Sequence, residues 1–280
     1  MPDHHAIAAP RPDDAPQMLV FSYHKSGTTL FHVILRKIAE RLNLRMAALF
    51  GMVDAIDPDL DIVLVGHALL RSHSARPFRA VRVVRDPRDI WVSSYLYHRR
   101  TTEAWCTSTD FDPTPPITYP RVDFSFQHRS EQWKRGWLRR LGGRSYQQNL
   151  LDRDPAAGLD FELAGYTDCT LEAMRGWRPA GPAMMDVRLE DIMREFDASM
   201  ARIFRHLGFT APNLAMILEI AATEDINRMN DAELSGNTHI HSRAISKWRG
   251  LLSPAQIAAF EQRHGELIDR LGYQRGIDRR

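Results

Sequence analysis

The residues with the clearest chemical content lie between Phe21 and Thr29, reading Phe-Ser-Tyr-His-Lys-Ser-Gly-Thr-Thr. A short apolar run, Met18 to Phe21, precedes Lys25, Gly27 and the hydroxyls of Ser26, Thr28 and Thr29. After them Phe31, Ile34, Leu35, Ile38 and Leu42 recur at spacings of three and four, the signature of one helix face. A tight turn entering a helix aims several backbone N–H groups at one point, with the positive end of the helix dipole behind them. With Lys25 and the hydroxyls added, the pattern predicts a cradle for a phosphate or sulfate. The alternative is an ordinary strand–helix turn capped by hydroxyls, its lysine in solvent. The ATP and GTP loop pattern, G-x-x-x-x-G-K-[ST], fits poorly, since His24 precedes the lysine and Gly27 follows it.

A second segment has the same logic. Ala80 to Arg85 reads as a strand, and Asp86-Pro87 supplies an N-cap and a first helical residue. The helix is expected to pass Ile90, Trp91, Ser94 and Tyr95 towards His98. Arg85 leaves the strand end and Ser93 follows two helical turns on, so both can reach one anion above the carboxyl end of a sheet. The competing possibility pairs Arg85 with Asp86 or Asp89 and leaves Ser93 as an ordinary helix serine.

In this order, Lys-Ser-Gly-Thr-Thr and Arg-Asp-Pro-Arg-Asp-Ile-Trp-Val-Ser-Ser-Tyr resemble the two nucleotide motifs of the sulfotransferase family. Those enzymes use 3′-phosphoadenosine 5′-phosphosulfate (PAPS) as donor and release PAP. The resemblance implies that Lys25, Ser26, Gly27, Thr28 and Thr29 hold the 5′-phosphosulfate, while Arg85 and Ser93 hold the 3′-phosphate. Asp186 to Asp191 and the following Phe196, Met200, Ile203, Phe204 and Leu207 are similar to the family's late strand and helix, with Gly208 as C′ glycine. Ser242 to Arg249 is similar to the segment that closes over the nucleotide, with Ala244 or Ser246 where glycines are usual; it implies a further 3′-phosphate ligand in Arg243. Where the family often has an adenine-stacking tryptophan, this chain has Leu30-Phe31, and Phe31 belongs to the buried helix face.

Sulfuryl transfer to a hydroxyl or amine needs a base for the acceptor's proton, and histidine, with an ordinary pKa of about 6.5, suits the task. The candidate is His67, after the apolar run Ile62 to Val65 and Gly66, at the end of what reads as the second strand; the family's catalytic histidine has this place. The family's frequent Lys-Thr-His is Val-Gly-His here, without the auxiliary lysine. His73, six residues on, is the competitor, and a structural role for either stays open. The resemblance implies in-line transfer with Lys25 stabilising the leaving oxygen, and no metal.

The elements that must position these groups are strands each followed by a periodic helix. That pattern implies parallel βαβ units: an α/β fold of three layers, P-loop-like, with a central, mostly parallel sheet and helices on both faces. A chain of 280 residues, 44% of them hydrophobic, suits one large domain, expected over residues 17–280 behind a disordered tail at 1–16. Residues 99–129, with four prolines and five aromatics, and residues 142–182 look like irregular insertions serving as lids over the acceptor. Ser253 to Gln256 has the capping-box pattern and opens a last helix that ends at Gly272. Cys106 and Cys169 have no metal-ligand spacing and suggest no disulfide framework. No stretch reaches the roughly 18 apolar residues of a membrane span. A net charge of +2 does not suggest a nucleic-acid partner, and Lys134, Arg135, Arg139, Arg140 and Arg144 read as a solvated helix face. A cytoplasmic location is the expectation. The acceptor (small molecule, lipid or glycan) and the oligomeric state, a homodimer included, stay open. The rival classes are a P-loop-type kinase and a non-catalytic PAP-binding module.

Overall fold

The computed structural model describes residues 15–71, 75–177, 181–236 and 242–276. Five parallel strands, β1 (Gln17–Phe21), β2 (Met46–Val53), β3 (Ile62–Leu70), β4 (Phe78–Val84) and β5 (Met184–Arg188), form one sheet in the order β2-β3-β1-β4-β5. Between them run α1 (Thr28–Leu42), α2 (Pro87–His98), α3 (Ala104–Thr107), α4 (Glu131–Leu141), α5 (Tyr146–Leu151), α6 (Pro155–Glu162) and α7 (Asp168–Gly176). After β5 come α8 (Leu189–Arg194), α9 (Phe196–His206), α10 (Ala211–Ala222), α11 (Asp231–Gly236), α12 (Trp248–Leu251) and α13 (Pro254–Arg270).

Strand side chains alternate between two cores. Met18, Val20, Ile62, Leu64, Val81 and Val83 pack with α1, α9 and α10, while Leu19, Phe21, Val63, Val65 and Val84 pack with α2, α4 to α7 and α13. Each strand is apolar on both faces, as a sheet covered on both sides requires. The three-layer α/β architecture expected from the strand–helix pattern is the one observed.

The topology places the site. From β1 the chain passes through α1 on one face to β2 and β3; from β4 it enters α2 on the other face. Connections that leave neighbouring strands in opposite directions open a crevice at their carboxyl ends, where open α/β sheets bind ligands. Here the crevice lies beyond β1 and β4.

Three expectations need correction. β2 is a strand the sequence pattern did not signal, so the histidine-bearing strand is the third. Residues 142–182 are mostly helical where described: α5, α6, a π turn at Leu163–Thr167 and α7. Their aromatics go inward, with Tyr146 and Tyr166 wholly buried beside Trp105. Lys134 is also buried, its ammonium 2.9 Å from Glu131, whereas Arg139, Arg140 and Arg144 do face solvent. Among the described residues no helix is long and apolar enough to cross a membrane.

Candidate functional site

The loop after β1 is stitched to β3, with the Ser22 N–H donating to the Val65 carbonyl and the Ala68 N–H to that of Ser22, both at 3.0 Å. Within the turn the Ser26 hydroxyl accepts from the Tyr23 N–H at 2.6 Å and donates to the Tyr23 carbonyl at 2.9 Å. Thr28 Oγ1 lies 2.8 Å from Ser22 Oγ and 3.2 Å from the same carbonyl. The hydroxyls of Ser26 and Thr28, expected to face an anion, therefore build the turn. Lys25 and Gly27 hold left-handed backbone at φ 59° and 96°. Gly27 is the N-cap of α1 and no side chain caps that end, so its first N–H groups point into the crevice unclaimed by a cap. Thr29 stands exposed at the mouth.

Cations gather on this crevice. Lys25 Nζ sits 4.0 Å from the centre of the Tyr97 ring, and Arg85 Nη1 donates to the Lys25 carbonyl at 2.8 Å. Arg85 Nη2 also approaches Asp89 at 3.8 Å, so the competing pairing is present as well. Asp86 caps α2 as the sequence predicts, its side chain accepting from the Arg88 N–H. Asp89 accepts from the backbone N–H groups of Ser246 (2.9 Å) and Trp248 (3.1 Å), which delivers Lys247 to Arg85. Burial, then the charges of Arg85, Arg100 and Lys247, pushes Lys25 down to about 7. Burial and Arg85 likewise push Lys247 down to about 8. Four cations thus act on one another in a partly dry crevice.

Ser93, one turn beyond Asp89 on α2, is 5% exposed, and its hydroxyl has no partner among the described residues. An unsatisfied buried hydroxyl costs about 1–3 kcal/mol, so this one leaves a hydrogen bond for a ligand to make. Arg243 goes elsewhere: it donates to the carbonyls of Ile226 and Met229 and pairs with Asp231 at 3.2 Å. Lys247, in the same segment, takes the place beside Arg85. Sequence pattern does not separate the two, because nothing local distinguishes one cation of Ser-Arg-Ala-Ile-Ser-Lys from the other.

His67 lies inside β3. Phe50 pairs with Gly66 and Met52 with Leu69, so β3 carries an extra residue there, the mark of a bulge. At φ 55° the bulge turns His67 towards the loop. Its ring is 5.1 Å from that of His24 at 89°, and its Nδ1 is 2.6 Å from Ser125 Oγ and 3.2 Å from Tyr166 Oη. Burial holds its pKa below the ordinary imidazole value, against Asp123 and Glu103, which raise it; His98 and Lys25 lower it further. A neutral imidazole beside a cationic crevice can accept a proton near neutral pH. A cavity of about 20 Å³, room for about one water, adjoins it between Tyr23, His24, Ser125, Phe126 and Tyr166. His73 lies outside the described residues. Among those described, no cluster of three His, Cys, Asp or Glu residues offers a metal site.

No protein-family model matches the chain, and no curated protein matches it. Among solved structures it is similar to mouse sulfotransferase SULT7A1 complexed with PAP, at 14% identity and a TM-score of 0.44, over 91% of this chain and 86% of that one. It is similar to retinol dehydratase with androsterone and inactive cofactor PAP, at 16% identity and a TM-score of 0.47, over 97% and 84%. The same enzyme with retinol and PAP gives 15%, 0.43, and 95% and 84%. What this chain does is decided by its own side chains.

Proposed function

We propose that the chain is a sulfotransferase that moves the sulfuryl group of PAPS to a hydroxyl or amine and releases PAP. The observation that carries this reading is the convergence of Lys25, Arg85 and Lys247, the side-chain-uncapped start of α1 and the unpartnered Ser93 hydroxyl on one crevice. Two anion positions follow. Lys25 with the N–H groups from Gly27 to Thr29 suits a 5′-phosphosulfate; Arg85, Ser93 and Lys247 suit a 3′-phosphate. Arg243 would act from a distance, through the segment it anchors.

In the proposed reaction the acceptor oxygen or nitrogen attacks sulfur while the bond from sulfur to the bridging phosphate oxygen breaks. His67 takes the acceptor's proton. Lys25 and the loop N–H groups stabilise the charge left on PAP, as donors aimed at a developing oxyanion do. All binding groups are organic cations and hydrogen-bond donors, so the reading needs no metal.

The rim beside His67 favours an apolar or ring-bearing acceptor, whether small molecule, lipid or glycan-linked. Tyr119 and Phe124 stack at 4.3 Å and remain 38% and 55% exposed. Phe50, 46% exposed, lies 6.1 Å from the His67 ring. Exposed aromatics grouped at one rim are a binding feature more often than scattered ones are. Both Tyr119 and Phe124 belong to the first of the two expected lid segments.

Calorimetry with PAP, followed by acceptor profiling with labelled PAPS, tests the reading. PAP binding with turnover supports it. Binding with no sulfation across a broad panel favours the non-catalytic module, and phosphate transfer from ATP without use of PAPS establishes the kinase.

A further inference from the structure

Around His67 the donors and acceptors can be counted. Asp123 Oδ1 accepts from the Tyr166 hydroxyl at 2.9 Å and from the Ser125 N–H at 2.8 Å. The one phenolic proton of Tyr166 is therefore spent on the carboxylate, and towards its other neighbours Tyr166 Oη can only accept. Those neighbours are Ser125 Oγ and His67 Nδ1, each at 3.2 Å. Ser125 Oγ is also 2.6 Å from His67 Nδ1. If Nδ1 were unprotonated, it would face the lone pairs of Tyr166. One arrangement satisfies every contact: Nδ1–H donates to Ser125, the Ser125 hydroxyl to Tyr166, and the Tyr166 hydroxyl to Asp123.

We infer that Ser125, Tyr166 and Asp123 form a positioning relay that holds His67 in the Nδ1–H tautomer and leaves its Nε2 lone pair as the base for the acceptor's proton. The relay rests on the proposed sulfotransferase reading for its purpose, but the tautomer does not. When Nε2 takes the proton, the imidazolium keeps its Nδ1–H bond, and the chain of hydroxyls ends on a carboxylate that stabilises the new charge. Ser125 and Tyr166 are buried, and both come from the segments expected to be irregular lids, so packing of those segments onto the sheet completes the base. The other titratable groups facing His67 are His24 and Lys25 of the loop after β1, His98 of α2, and Glu103 just before α3. None of them bridges Nδ1 to a carboxylate.

The direct test is nitrogen-15 NMR of histidine-labelled protein without ligand, with the His67 signals assigned by their loss in His67→Gln. Nδ1–H is expected in the wild type, with the Nε2–H tautomer gaining in Ser125→Ala combined with Tyr166→Phe. An Nε2–H tautomer in the wild type overturns the relay, whatever the enzyme turns over. In kinetics, Asp123→Asn is expected to lower kcat on the order of 10²-fold, the scale of general-base catalysis, with KM for PAPS unchanged. The acid limb of the pH profile should move to lower pH, because the carboxylate that favours imidazolium is gone. Asp123 also caps the turn at Phe124–Phe126, so Ser125→Ala, which removes only a hydroxyl, is the control for folding. A KM effect alone, or an unmoved acid limb in both variants, overturns the relay. Nδ1–H in a protein that sulfates nothing leaves the relay standing and removes the sulfotransferase reading.

Discussion

A lysine near neutrality is a proton acceptor as well as an anion binder. Burial and the neighbouring cations leave Lys25, at about 7, and Lys247, at about 8, partly uncharged, with Glu103 and Asp89 only partly opposing the shifts. A bound phosphate favours their charged forms, so the complex holds more protons than its parts. At pH 8 PAP binding is expected to take up close to one proton or more, and affinity should fall as pH rises above 7. Calorimetry in buffers of different ionisation enthalpy measures this directly; no proton uptake at pH 8 would rule the coupling out. The exchange of Arg243 for Lys247 gives a second prediction. Lys247→Ala should weaken PAP about tenfold or more, a charge-assisted hydrogen bond contributing about 1.5–3 kcal/mol. Adenosine 5′-phosphosulfate, without the 3′-phosphate, should be nearly unaffected by the same change. Equal weakening of both nucleotides in a titration would remove Lys247 from the 3′-phosphate. The two proposed anion motifs could be read from sequence because Lys25, Arg85 and Ser93 stand at fixed offsets from a helix start. Which cation of a loop comes home was not, since that depends on Asp89, some 157 residues before Ser246 in sequence.

At the scale of elements, the β3 bulge is what brings His67 to the loop, and Gly66 makes it possible. A Cβ there would lie 2.8 Å from the Phe50 ring and 2.8 Å from Thr28 Cγ2. Phe50 is half exposed and can swing away; Thr28, in the first turn of α1 and bonded to Ser22, cannot. Gly66→Ala is therefore expected to cost about 1–3 kcal/mol of stability, the range for overpacking. It should also weaken PAP, because Thr28 must shift with the start of α1. Urea unfolding and PAP titration check both; wild-type values in the two would show that the loop yields freely. The strongly periodic helices α1, α2 and α13 were legible in the sequence, down to the capping box of α13 and the Asp86-Pro87 start of α2. β2 was not, since an edge strand reading Met-Ala-Ala-Leu-Phe-Gly-Met-Val shows neither alternation nor helical spacing.

Across the whole molecule, α7 and α13 are joined by a pair that should make stability depend on acid. Arg175 Nη2 lies 2.9 Å from His264 Nδ1, and arginine can only donate, so His264 is neutral there. Burial, with Arg175 and Arg263, pushes its pKa down from 6.5 to about 4. The folded-state value lies below the unfolded one, so this contribution is complete above pH 6.5 and is lost as pH falls towards 4. His264→Gln, which can still accept from Arg175, should flatten the loss of stability between those pH values in urea unfolding; parallel profiles for variant and wild type would exclude the effect. The sequence by itself determined the α/β class, and it proposed the two anion motifs and a histidine at position 67, because each is written in neighbouring residues. Tertiary structure decided that Ser26 and Thr28 build the turn, that Lys247 rather than Arg243 stands beside Arg85, and that His67 is wired to Ser125, Tyr166 and Asp123. Those partners lie 58 and 99 residues from His67 in the case of Ser125 and Tyr166. Only packing of distant segments fixes such pairs, since chemistry at a site depends on distance in space and a sequence records distance along the chain.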